Sequence, residues 1–115
     1  ANALIKKINT FVEERDWEQY HTPKNLAISL SLEANELLEN FQWENPSFLD
    51  IKKDKQKLQA ISHEIADIII YLLRFIYHLD LDFEKIVREK LIVNKEKYPV
   101  EKCKGKADKY YAYSK

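Results

Sequence analysis

The sequence predicts an all-α fold: a compact, four-helix bundle-like domain assembled into an oligomer. One glycine and three prolines in 115 residues leave little punctuation for a strand-and-turn architecture, while Leu, Ile, Lys and Glu dominate. Apolar residues recur at helical spacing in separate segments. The breaks between segments are short and carry helix-start residues, Thr22 with Pro23 and later Asp82. The length sets a single domain over 1–115, with room for one modest core that association would help to cover.

In chain order, the first helix covers residues 2–19, where Leu4, Ile5, Ile8, Phe11 and Val12 recur at helical spacing. The stretch YHTPKN interrupts it: Thr22 is an N-cap and Pro23 suits the first helical position. The second helix runs from there to residue 43 and stops near ENPS. A third starts within 50–57 and continues to 78. Asp82 caps a fourth, which ends before Pro99, because the residue preceding a proline disfavours the helical region. The tail VEKCKGKADKYYAYSK is rich in lysine and tyrosine and lacks clear periodicity. Four helices with short connections pack as a bundle.

Composition excludes several classes of partner. Nineteen basic residues balance nineteen acidic ones, so no global field invites nucleic acid or an anionic membrane. A lone cysteine, Cys103, makes no internal disulfide and fits a reducing, cytoplasmic compartment. The longest strongly apolar run, 68–73, is bounded by Asp67 and Arg74 and is too short to span a bilayer. No signal peptide is read at the start.

Two acidic pairs carry the chemistry. With Leu26 set to zero on a helical wheel, Leu37, Leu30, Phe41, Ala34, Ala27 and Leu38 fall between roughly 0° and 120°, the expected core face. Ser29, Glu33, Glu36 and Asn40 fall at roughly 280–340°, a polar seam beside it, whereas Glu39 lies well away. The third helix is apolar around most of its circumference, except for a stripe of Glu64, Asp67, Tyr71 and Arg74. One such stripe alone is equally well a wet helix face. Two carboxylate pairs at i, i+3 on two helices are a different matter. If they converge, their repulsion calls for protonation or, more directly, a divalent cation. An all-oxygen set without paired histidines favours Mg²⁺ or Mn²⁺ over zinc. The competing di-iron cluster needs Glu-x-x-His on two helices, and the one such spacing here is Glu18 to His21.

The stretch ERDWEQYHTPKNLAISLSLEANELLENFQW, followed by HEIADIIIYLLR and VNKEKYP, resembles the MazG-like, all-α nucleoside triphosphate pyrophosphohydrolases, closest to the branch that includes dCTP pyrophosphatases. The likeness covers roughly residues 11–110. It implies hydrolysis of a nucleoside triphosphate to the monophosphate and pyrophosphate, with dCTP or a modified cytosine nucleotide as the leading substrate and house-cleaning of the nucleotide pool as the role. It also implies that Glu33, Glu36, Glu64 and Asp67 hold Mg²⁺ in a homodimer or dimer of dimers, with the site completed by a neighbouring subunit.

By the same resemblance Trp17 and Trp43 line the nucleotide pocket, where flat rings would stack on a base. His21 would hydrogen-bond to base or sugar, with Gln19 and Tyr20 in the same matched stretch. Tyr71 matches a hydroxyl contact to the nucleotide. Asn94 and Lys97 match a segment near the leaving pyrophosphate, with Lys90 on the same helical side. Lys109 and Tyr110 resemble a tail motif that closes over the site. His63 and His78 read as surface or packing residues. One departure is Ile8, where some relatives carry a histidine.

The phosphates would be held through metal carboxylates with lysines in support, since one glycine cannot make a Walker-type loop. Two alternatives stand beside this expectation: a non-enzymatic helical interaction module whose acidic stripes dock a basic partner, and a dUTPase-like diphosphatase.

Overall fold

In this computed structural model, which describes residues 2–105, the chain divides into two compact units, Ala1–Asp80 and Leu81–Lys115. The first contains α1 (Asn2–Glu14), a 3₁₀ turn (Glu18–Tyr20), α2 (Pro23–Glu39), α3 (Phe48–Lys53) and α4 (Lys55–His78). The second contains α5 (Phe83–Lys97) and α6 (Val100–Cys103). There is no strand among the described residues, and no described helix is long and apolar enough to cross a membrane. Lys109 and Tyr110 lie outside the described residues.

The first helix ends at Glu14, not at residue 19 as its sequence suggests. Asp16 turns the backbone into the left-handed region at φ 53°. The Asp16 amide then bonds the Glu13 carbonyl at 3.0 Å and the Trp17 amide reaches the Val12 carbonyl at 3.1 Å. This is the crossed pair of bonds that closes a helix C-terminus, built here on an aspartate in place of the usual glycine.

Thr22 starts α2 as expected, its hydroxyl oxygen accepting from the Asn25 amide at 3.2 Å, with Pro23 in the first turn. The helix ends at Glu39, short of the expected residue 43. The amides of Asn40, Phe41 and Gln42 bond carbonyls three residues back, and Asn40 Nδ2 donates to the Glu36 and Leu37 carbonyls at 3.3 and 3.2 Å. That tightened turn satisfies the last carbonyls and stops the helix.

The expected third helix is α4, which starts at Lys55, inside the expected 50–57, and ends at His78; the short α3 before it is not read from the sequence. Ser47 caps α3, and Asp54, in an extended conformation, ends it while capping α4 through the Lys57 amide at 3.1 Å. In the second unit Asp82 caps α5 through the Lys85 amide at 3.0 Å, and α5 stops before Pro99, both as expected.

Helix α4 packs chiefly along α2 and also meets α1 and α3. The core is small: Ile8 and Val12 of α1, Leu26 of α2, Ile51 of α3, and Ile61, Leu73 and Ile76 of α4. On α2 the buried stripe is turned toward the polar seam. Leu38 is 63% exposed and Ala27 and Ala34 are exposed, while Ser29, Glu33 and Asn40 are half-buried. The physical reason is that α2 has one extensive partner, α4, too narrow to cover a 120° arc. The expected core positions Ala27, Ala34 and Leu38 are thus corrected to surface. The same rotation brings Glu33 down against α4.

Candidate functional site

The α2–α4 seam gathers acids from both helices. Glu33, Glu64 and Asp67 each offer one carboxylate oxygen, and these atoms lie within 4.8 Å of one another. Glu33 and Glu64 are half-buried and Asp67 is exposed. Glu36, one turn along α2, is exposed and stands beside this group rather than within it. Helical spacing puts Glu64 and Asp67 on one face of α4, and the packing of α2 along α4 brings Glu33 to them.

The arrangement is electrostatically unfavourable as it stands. Burial, then hydrogen bonding with Glu36 and Glu64, then the charges of Glu36 and Asp67, push Glu33 up to about 7. Burial likewise raises Glu64, with Glu36 and Asp67 adding to the rise and Glu33 opposing it through a hydrogen bond. Glu33 Oε2 and Glu64 Oε2 are buried without a hydrogen-bond partner. Ionised carboxylates bring acceptors only, so nothing inside the cluster satisfies these oxygens unless a proton or a cation enters. Hard oxygen donors at this spacing fit a divalent ion such as Mg²⁺ or Mn²⁺, and no histidine or cysteine joins the group. The di-iron alternative loses its one histidine: His21 Nδ1 is taken by Arg74, and His21 does not join the acidic group.

Farther along α4 a second polar cluster is organised around Arg74, whose side chain is 1% exposed. Its Nη2 donates to Glu18 Oε2 at 2.8 Å, its Nε to His21 Nδ1 at 3.2 Å, and its Nη1 to Asn9 Oδ1. His78 Nε2 lies 2.9 Å from Arg74 Nη2 and 3.2 Å from Glu18 Oε1, so it is part of this network rather than a bystander. A buried guanidinium needs this degree of pairing, because its charge cannot be removed. Burial and then the Arg74 charge hold His21 below the ordinary histidine range, with Glu18 pulling the other way.

This cluster fixes the segment in which the expected nucleotide contacts lie. Trp17 is half-exposed and meets Phe11 edge-on at 5.7 Å between ring centroids, while Arg15 lies over the other side chain of that pair, Phe11, at 3.8 Å. Gln19 Nε2 donates to the Asp16 carbonyl at 3.1 Å and to its carboxylate at 3.3 Å, so its amide braces the turn. Asn25 Nδ2 donates to the Tyr20 carbonyl at 3.0 Å, and the Tyr20 ring is exposed. Trp43 follows α2 and is 88% exposed. Its neighbour Glu44 pairs with Lys57, whose ammonium sits 5.9 Å from the Phe41 ring, tying this stretch to α4. Tyr71, half-buried, lies one turn beyond Asp67 on α4.

Asn94 and Lys97 are half-buried on α5, in the second unit, with Lys90 exposed on the same helix. His63 is exposed, as expected. Asn9, Glu18 and Arg74 were legible only in part. An arginine closing the apolar run 68–73 is a signal that it has a buried partner, but the partner's identity is not in the spacing.

The chain matches the MazG-like family over residues 28–112. It is 37% identical over 105 residues to dCTP pyrophosphatase 1 of Rattus norvegicus and 33% identical over 101 residues to that of Homo sapiens. Each alignment covers 87% of this chain and 59% of the relative, so the chain spans about three-fifths of the length of these proteins. The crystal structure of a pyrophosphatase from Archaeoglobus fulgidus is similar with a TM-score of 0.76 at 38% identity, covering 85% of this chain and 91% of that one.

Proposed function

The chain belongs to the MazG-like family, and from that premise we propose that it is a Mg²⁺-dependent nucleotide pyrophosphohydrolase. Its substrate is a deoxynucleoside triphosphate, dCTP or a modified cytosine nucleotide foremost, cleaved to the monophosphate and pyrophosphate in the service of nucleotide-pool house-cleaning in the cytoplasm. The observation that carries this reading is the meeting of Glu33, Glu64 and Asp67, with two buried carboxylate oxygens left without a partner. A site built only to be solvated has no reason to bury acceptors with no donor. The relatives named for dCTP and pyrophosphate chemistry support the substrate class.

Glu33, Glu64 and Asp67 would hold the ion, with Glu36 beside them and Mn²⁺ able to replace Mg²⁺. When bound, a divalent cation neutralises triphosphate charge and favours attack by water at phosphorus. A carboxylate beside the ion, such as Glu36, would take the proton that the attacking water gives up. Trp17 and Trp43 offer ring faces to the base, Tyr71 a hydroxyl, and His21 a ring nitrogen. Gln19 braces the Asp16 turn that leads into the Trp17–His21 segment, while Tyr20, whose carbonyl accepts from Asn25, offers an exposed ring beside it. Asn94 and Lys97 are assigned to the leaving pyrophosphate on the strength of the family likeness.

Assembly with further copies of this chain is part of the reading. Ile28 and Leu32 on α2, and Leu58, Ile65, Ile69 and Leu72 on α4, form apolar stripes that stay 40–60% exposed. Unpartnered stripes of that kind on two core helices fit a second copy, in a dimer or a dimer of dimers.

The test is incubation of the purified protein with the common and modified triphosphates, with and without Mg²⁺, and identification of the products. Pyrophosphate and monophosphate appearing only with the metal support the proposal. Release that ignores the metal, or free phosphate and diphosphate as products, overturns it. An acidic docking module is the other reading, and calorimetry with Mg²⁺ or Mn²⁺ would favour it if no binding is found.

A further inference from the structure

Among its donors Arg74 spends one, Nε–H, on His21 Nδ1. A guanidinium is a donor and never an acceptor, so the Nδ1 it meets must carry a lone pair. The ring proton of a neutral His21 is then at Nε2, and Nε2 has no hydrogen-bond partner among the described residues. The opposite tautomer would set N–H against N–H at 3.2 Å. The other donors of Arg74 anchor the same segment from a second side through Glu18, and tie both to α1 through Asn9. Along α4, Arg74 stands two turns, about 10 Å, beyond Asp67, so one rigid helix carries both the acidic group and the anchor of the 17–21 segment.

We propose that Arg74 is a positioning residue that sets substrate specificity through His21: it fixes the imidazole in the Nε2–H form, so the site presents a hydrogen-bond donor, and only a donor, to the bound nucleotide. The nucleotide group it selects is an acceptor, such as a base carbonyl or unprotonated ring nitrogen, and a group that is itself a donor is rejected at this point. Burial of His21 beside a fixed cation works in the same direction, because it disfavours the doubly protonated ring. The substrate half of this inference rests on the hydrolase reading given above; the tautomer half does not.

Nitrogen-15 labelling of the histidines separates the two halves. Two-bond proton–nitrogen spectra of the full chain near neutral pH, with His21→Gln to assign the signals, should show His21 as the neutral Nε2–H tautomer. In Arg74→Lys the ammonium is a single point that cannot serve Asn9, Glu18 and His21 together, and a mixture of ring forms is expected. The same variant should raise KM for dCTP by about tenfold, leave kcat within about threefold, and leave the Mg²⁺ concentration for half-activation unchanged. A merely structural role would lower activity through loss of folded protein, with KM untouched. Should Arg74→Lys fail to fold, Glu18→Gln keeps the Nε donor and must keep the Nε2–H form.

A His21 that carries its proton at Nδ1, or at both nitrogens, in the native chain overturns the inference. So does an unchanged KM in an Arg74→Lys protein whose His21 tautomer has changed. If the native chain hydrolyses no triphosphate, the hydrolase reading and the specificity half fall together, while the spectrum still decides whether Arg74 governs His21.

Discussion

A carboxylate oxygen of Glu33 on α2 and one of Glu64 on α4 lie within 4.8 Å of each other, and each residue also buries an oxygen without a hydrogen-bond partner among the described residues. The pairing is costly for the folded chain, and the cost has a sign that pH exposes. With Glu33 pushed up to about 7, the folded state holds its proton more tightly than the unfolded state does. The stabilisation is complete below the ordinary carboxylate range and is lost as pH rises through about 7. Metal-free protein should therefore melt at a lower temperature at about pH 8 than at about pH 5.5, with Mg²⁺ restoring more of the loss at the higher pH. Thermal melts with EDTA or Mg²⁺ at several pH values check this, and a metal-free midpoint that climbs across that window contradicts it.

Glu64→Gln removes one charge and adds a donor without changing shape. Without metal it should melt higher than the native chain, because the amide can bond the acids around it. It should also lose the stabilisation by Mg²⁺ and at least about 100-fold in pyrophosphate release. Stability and activity moving in opposite directions is the signature; a variant that loses both has merely unfolded.

Trp43, almost wholly exposed, has no packing role that its removal would disturb. If its ring stacks on the base, Trp43→Ala should weaken substrate binding by about 1–3 kcal/mol, on the order of tenfold to a hundredfold in KM, with little change in melting temperature. Steady-state kinetics beside a melt separates this from Trp17→Ala, which also breaks the contact with Phe11 and should raise KM and lower the melting temperature together.

Thr22→Ala should cost about 1 kcal/mol of stability, since the hydroxyl satisfies the Asn25 amide at the start of the helix that bears Glu33 and Glu36. Urea unfolding measures it, and a smaller loss in Thr22→Ser would show that the cap and not the methyl is responsible.

The helical character and the caps at Thr22 and Asp82 were legible because they rest on local chemistry, a side-chain oxygen meeting an amide three residues on. The acidic pairs were legible for a similar reason: i, i+3 spacing sets a shared face before any packing is known. Helix ends were less so. The stop at Glu14 uses an aspartate in the left-handed region, where sequence pattern leads one to look for glycine. The exposure of Leu38 depends on how much of α2 its partner covers, which periodicity does not contain. The Arg74 network joins residues more than fifty positions apart in sequence, and only folding brings them together.

The left-handed aspartate also bears on attempts to give this scaffold a new appetite. Under the proposed function, retuning base choice by grafting residues 17–21 from a cousin would hinge on what stands immediately upstream. Asp16, at φ 53°, aims the grafted loop. Asparagine or glycine there would keep the aim, while a valine or isoleucine would swing the whole insert off target, however well its own side chains were chosen.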